Sequence, residues 1–320
     1  MKRRVHAGYA AVCAACVLFH AACGRWSGAP WYLDRAQLQT DYLAAVADAA
    51  VSDASEVYRD LPCIVSPDSG DGLEWTERGG RQFVLVCSMT DGEYAGVWTA
   101  GRQFVTDGYT LWVVLPYELE ERMRRMPLMG DSLECRMRML QLLGLPPDSP
   151  YDRLLFFYAD RSALLRPCPN PDVGACAAPD VSPGDLPAPY RKWFEARTAL
   201  SYGEENPYPW TRLGYTYDWH RDAAQRRGLG EFIVPGGTEV IAVEQVTVWR
   251  WYRGLAGIVR ADDTDGGRST VGVVNGTDRM FFGRDGAGFP EVFPQGLPAP
   301  GWAARRIPAM HAISKDSLFY

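Results

Sequence analysis

Lysine is almost missing from this chain. Of 33 basic residues only Lys2, Lys192 and Lys315 are lysines, and the rest are arginines. None of the three follows a glycine-rich run, so no G-x-x-x-x-G-K-[ST] phosphate loop exists. Histidine is scarce too: His6, His20, His220 and His311 are four isolated residues, which excludes a zinc site built on paired histidines. No G-x-S-x-G elbow marks a serine hydrolase. No apolar run reaches the ~20 residues of a membrane span, and no period of 20–50 residues marks a solenoid or propeller. Positive charge is not in excess. The formal charge is −6 and the pI about 5.4, the opposite of a duplex-binding balance, so nucleic acid is not an expected partner.

The rest is globular in composition. Hydrophobic residues make up 47% and charged residues 22% of 320 residues, enough for one large or two ordinary domains and their cores. With 11 Trp and 16 Tyr the chain is rich in rings that fill cores or stack on flat ligands.

Residues 1–22 have the form of a signal peptide. Lys2, Arg3 and Arg4 precede an apolar run from about Ala7 to Phe19, and small residues follow. The stretch Phe19-His20-Ala21-Ala22-Cys23-Gly24 resembles a bacterial lipoprotein lipobox, departing from it at His20, where an aliphatic residue is usual. The resemblance implies a lipoprotein precursor with Cys23 lipidated as the first mature residue. The C-x-x-C spelling of Cys13 and Cys16 falls inside the removed run. Removing residues 1–22 leaves a more acidic chain, so membrane attachment is expected through acyl chains rather than basic residues. Residues 23–33 read as a lipidated tether.

Export to an oxidising compartment makes disulfides plausible for the cysteines after Cys23. Cys168 and Cys176 flank a turn-rich Pro-Asn-Pro-Asp segment and are the expected pair. A second bridge would draw on Cys63, Cys87 and Cys135, among which the sequence does not choose.

Residues 34–253 read as one α+β domain with an antiparallel-rich sheet and a few helices. Asp34 caps a helix running to about Val51. Strands are predicted at Arg81–Met89, Tyr94–Thr99, Thr110–Leu115 and Arg153–Ala159, and a long strand, or a strand and its bend, at Glu239–Tyr252. Helices are predicted at Tyr117–Met126, Asp131–Leu143 and Tyr190–Leu200. The first of these carries Glu118–Arg122 and Glu120–Arg124 at i,i+4 and reads as a solvated face. Residues 166–190 form a long loop. Residues 254–320 read as a Gly/Pro-rich, partly disordered tail with one hairpin near Thr270–Phe282.

Possible chemistry concentrates in residues 204–231. Trp210, Tyr215, Tyr217 and Trp219 stand close together, and a strand over Tyr215–Trp219 would put its three rings on one face. Such a face is either a core stripe or a sugar-stacking platform. A glycosidase needs two carboxylates about 5–5.5 Å or about 6.5–9.5 Å apart, one of them protonated. Asp218 and Glu231 are the candidate pair. A Cys135–His220 nucleophile has nothing but residue type behind it, and Asp262, Asp263 and Asp265 lack the rest of a calcium loop. No metal and no cofactor is expected.

The runs Gln141–Pro147, Leu165–Asp172 and Pro209–Trp219 are similar to those of an uncharacterised family of secreted bacterial proteins over roughly residues 110–250. The resemblance implies export and a paired Cys168 and Cys176, and no mechanism. The expectation is an exported lipoprotein of the cell envelope, facing the periplasm or cell surface. Its expected role is binding or structural, with a glycan or an envelope protein as partner. The alternative is a carbohydrate-active hydrolase at the cell wall.

Overall fold

The computed structural model describes residues 30–257 except 107–108, 128, 179–186 and 224. The expected signal, Cys23, the tail beyond residue 257 and its hairpin lie outside the described residues. So do Asp262, Asp263 and Asp265. Gly254 and Leu255, expected to open the tail, belong to a helix.

Strand alternation builds the centre. The strands are β1 (Trp75–Arg78), β2 (Arg81–Thr90), β3 (Gln103–Val105), β4 (Leu111–Val114), β5 (Arg153–Asp160), β6 (Tyr215–Tyr217), β7 (Arg227–Val234) and β8 (Glu239–Thr247). They form one eight-stranded antiparallel sheet in the order β3-β8-β5-β2-β4-β7-β6, with β1 also on β2. Along β2, Leu85, Cys87 and Met89 enter one core while Val84 and Val86 enter another. On β5, Leu154 and Phe156 join the first core, and Leu155, Phe157 and Ala159 the second. Period-two side chains therefore bury both faces of the central strands. The domain is α+β, as its sequence predicts.

Helices α1 (Arg35–Ala49), α3 (Pro116–Arg124), α4 (Ser132–Leu142) and α6 (Val248–Leu255) cover the first face. Asp34 and Asp131 cap α1 and α4 by accepting from backbone N–H groups. In α6 the apolar residues Val248, Trp251, Tyr252 and Leu255 recur at i, i+3, i+4 and i+7. Thr247 accepts from the Arg250 N–H, so the long strand predicted to Tyr252 ends there and turns into a helix. Helix α5 (Ala188–Ser201) packs Tyr190, Trp193 and Phe194 around Trp210 and Ile233 as a third, aromatic core.

Other expectations need correction. Tyr94–Thr99 is not a strand, because the Asp91 side chain accepts from Glu93 N and starts the short helix α2 (Gly92–Ala95). The end of the expected tether belongs to the domain: Trp31 meets His220 edge-on at 5.1 Å, and Tyr32 donates to Asp131. Glu118 does not pair with Arg122 on a solvated face. It turns inward and accepts from Gly230 N at 2.7 Å, while Arg122 donates to the carbonyls of Arg227 and Gly228. The Glu120–Arg124 pair does form, at 3.5 Å.

The disulfide is also different. Cys176 is bonded to Cys63, not to Cys168, across 113 residues of chain. Beside it, Leu61 N donates to Cys176 O and Ile64 N to Val173 O, so residues 61–64 and 173–176 are laced together. Cys168 points into a small core with Leu61, Ala178 and Tyr215 and remains a thiol, as do Cys87 and Cys135.

Candidate functional site

Glu231 sits where the alternation of β7 calls for an apolar residue. Leu229 and Ile233, two residues to either side, are fully buried, and its cross-strand partner is Val114. Burial pushes the Glu231 carboxyl up to about 8, against Arg197, the Trp210 indole N–H and Arg166, which all favour the charged form. At neutral pH the group is therefore mostly protonated.

Helix α5 aims Arg197 at this carboxyl. Arg197 follows Trp193 by four residues and Phe194 by three, which puts a guanidinium on the buried stripe of the helix. Its charge lies 5.2 Å from the Trp112 ring centroid and 5.7 Å from that of Tyr208. Burial lowers its pKa, and among the described residues no ion pair holds it. Glu231 Oε2, Arg197 Nε and Trp112 Nε1 are buried without a hydrogen-bond partner, and the Trp210 indole N–H faces the Glu231 carboxyl.

Two small cavities meet at this cluster. One, of about 40 Å³, opens where β2 and β4 splay apart after their single pairing at Cys87 and Val114. Its walls include Met89, Val114, Leu119, Leu145 and Leu154. The other, of about 20 Å³, is walled by Arg197, Tyr208 and Trp210. Both share Trp112, Leu143, Thr216 and Glu231.

Asp218 is elsewhere in the bonding scheme. Arg138 grips it with two hydrogen bonds, Nη1 to Oδ1 at 2.9 Å and Nη2 to Oδ2 at 2.6 Å, and its side chain is 2% exposed. It lines neither cavity that Glu231 lines. The structure thus does not bring the two candidate carboxylates to one cleft. A carboxylate with both oxygens committed to an arginine is a packing element, not a free base.

The aromatic residues are core. Trp210, Tyr215, Tyr217 and Trp219 are all buried, and they do not share one face. The β6–β7 register shifts between Tyr215 and Tyr217, and β6 ends at Tyr217. Tyr215 enters the small core beside Cys168, Tyr217 and Trp219 the main helical core, and Trp210 the core under α5. Three of the four polar handles are used within the fold: Tyr215 donates to Glu56 O, Tyr217 to Asp48, and Trp219 Nε1 to Leu145 O. A stacking platform is excluded for rings held this way.

Among the described residues, no cluster of three or more His, Cys, Asp or Glu side chains is placed to hold a metal ion. Nor is any helix there long and apolar enough to cross a membrane. No protein-family model, curated protein or solved structure matches this chain.

Strand β7 escaped the sequence reading, and with it the environment of Glu231. A charged residue inside Gly228-Leu229-Gly230-Glu231-Phe232-Ile233-Val234 is the signal that was there to find. Arg197 beside Trp193 and Phe194 was another.

Proposed function

We propose that this protein is an exported bacterial lipoprotein, anchored in the cell envelope through Cys23, with a binding or structural role. The observation that carries the reading is the order Lys2-Arg3-Arg4, short apolar run, Ala21-Ala22-Cys23. The Cys63–Cys176 disulfide supports it, because such bonds persist outside the reducing cytosol. Docking of Trp31 and Tyr32 leaves about seven residues between Cys23 and the folded domain, a short leash to a membrane surface. A binding or structural role is favoured over hydrolysis by the separate settings of Asp218 and Glu231.

The test is metabolic labelling with a fatty-acid analogue. The wild type takes up label and Cys23→Ser does not. Equal labelling of both removes the anchor.

A further inference from the structure

Helix α1 has no charged side. Leu38, Tyr42, Ala45, Val46 and Ala49 face the core. The opposite side of such a helix is normally charged or polar. Here it is Ala36, Thr40, Leu43, Ala44 and Ala47, at i, i+4, i+7, i+8 and i+11, all exposed and none charged. Thr40 Oγ1 turns back to donate to Ala36 O, so the one hydroxyl is spent on the helix itself. The two carboxylates of the helix are held at its flank. Asp41 accepts from Gln37 and pairs with Arg221, and Asp48 accepts from Tyr217. Leu33 just before the helix and Val51 just after it are exposed as well. Three of the eight large apolar side chains exposed among the described residues, Leu33, Leu43 and Val51, thus lie along this one element.

Location chooses the occupant. The chain reaches α1 from Cys23 through residues 24–30, seven steps that span at most roughly 25 Å. The helix itself, of 15 residues, is about 22 Å long. A tether hardly longer than the helix delivers α1 to a bilayer before any other element. Trp31 and Tyr32, side chains of the kind that settle at headgroup level, are half-buried at the same end. In an acidic chain a charge-free face also brings no carboxylate against lipid phosphates.

We propose that the outer face of α1 is a membrane-contact surface. With Cys23 anchored, the helix lies along the lipid bilayer and places Leu33, Leu43 and Val51 at the boundary of headgroups and acyl chains. This deepens the envelope reading and rests on it, since the anchor at Cys23 is what brings the face to lipid.

The experiment supplies the anchor chemically, so its outcome does not depend on acylation in cells. The chain from Cys23 onward is coupled through that thiol to a maleimide phospholipid in phosphatidylcholine vesicles. Cys87, Cys135 and Cys168 are buried and Cys63 is bonded to Cys176, so the coupling goes to Cys23. The vesicles also carry a phospholipid with a diazirine near the top of its acyl chain. After irradiation and trypsin digestion, mass spectrometry reads which peptides carry lipid. The expected carrier is Ala36–Arg59, the tryptic peptide that holds the whole stripe. The peptide Gln103–Arg122, with the exposed Val105 of β3, stays unlabelled. A Leu43→Glu, Ala47→Glu variant, altered only at exposed positions, melts like the wild type, and its Ala36–Arg59 labelling falls to the level of the Val105 peptide. Equal labelling of the two peptides in the wild type overturns the proposal, as does labelling of Ala36–Arg59 that the two glutamates leave unchanged. Dimerisation of the uncoupled chain that the same substitutions abolish also overturns it, and gives the face to a second copy.

Discussion

Single residues carry the sharpest consequences. Asp218 is buried with both oxygens on Arg138, and His220 N also points to it at 3.2 Å. Removing one partner of a buried ion pair strands the other charge and costs about 3–5 kcal/mol. Arg138→Met is therefore expected to destabilise by that order in urea unfolding, more than Arg125→Met, whose pair with Glu121 is exposed. Equal effects would mean that the buried pair contributes no more than the surface one. Glu231 makes a second prediction, about pH. Its carboxyl holds a proton in the folded state up to about 8, against 4.5 for the ordinary group. Between these values the folded chain binds the proton more tightly, so stability falls as pH rises. Glu118, raised to about 7, acts in the same direction, and His220, lowered by burial, loses stability on acidification. The comparison that isolates Glu231 is wild type against Glu231→Gln. Their stability difference shifts against the wild type from pH 5 to pH 8.5. A constant difference contradicts the buried-acid assignment.

At the scale of elements, β2, β5, α1 and α4 were legible because each signals locally. The strands alternate into two cores, and the helices begin at Asp34 and Asp131. Strand β7 was not legible, because two glycines and a glutamate interrupt its apolar pattern. The glycines answer to contacts distant in sequence. A Cβ on Gly228 would collide with Thr216 Oγ1, and one on Gly230 would lie 2.5 Å from the Pro62 ring. Nothing near them in the chain announces these neighbours. The β6 segment was half legible: its rings were identified, but their directions follow from a register shift that no spacing reveals. Since Trp219 fills the main core against Tyr42 and donates to Leu145 O, Trp219→Ala is expected to cost about 3–5 kcal/mol. A thermal melt close to that of the wild type would show that this ring is not part of the core.

For the whole molecule, topology decides what local sequence does not. Cys168 and Cys176 are neighbours in sequence, yet the fold brings residues 61–64 against residues 173–176 and bonds Cys63 to Cys176. A disulfide closing about 100 residues stabilises by about 4.7 kcal/mol in the chain-entropy model, against about 3 kcal/mol for a loop of about 15. A non-reduced digest is expected to yield a Cys63–Cys176 cross-linked peptide, with Cys87, Cys135 and Cys168 alkylated only after unfolding, since all three are buried. A Cys168–Cys176 peptide would overturn that pairing. The candidate site was least legible of all. Its parts come from β2, β4, α5 and β7, and only the assembled sheet shows that Arg197 and Glu231 share a cavity. The address of the molecule is read directly by mass spectrometry of the N-terminal peptide of the protein extracted from bacterial membranes. The expected product is a chain beginning at Cys23 and carrying acyl groups. A chain still beginning at Met1, or one cut elsewhere without lipid, contradicts it.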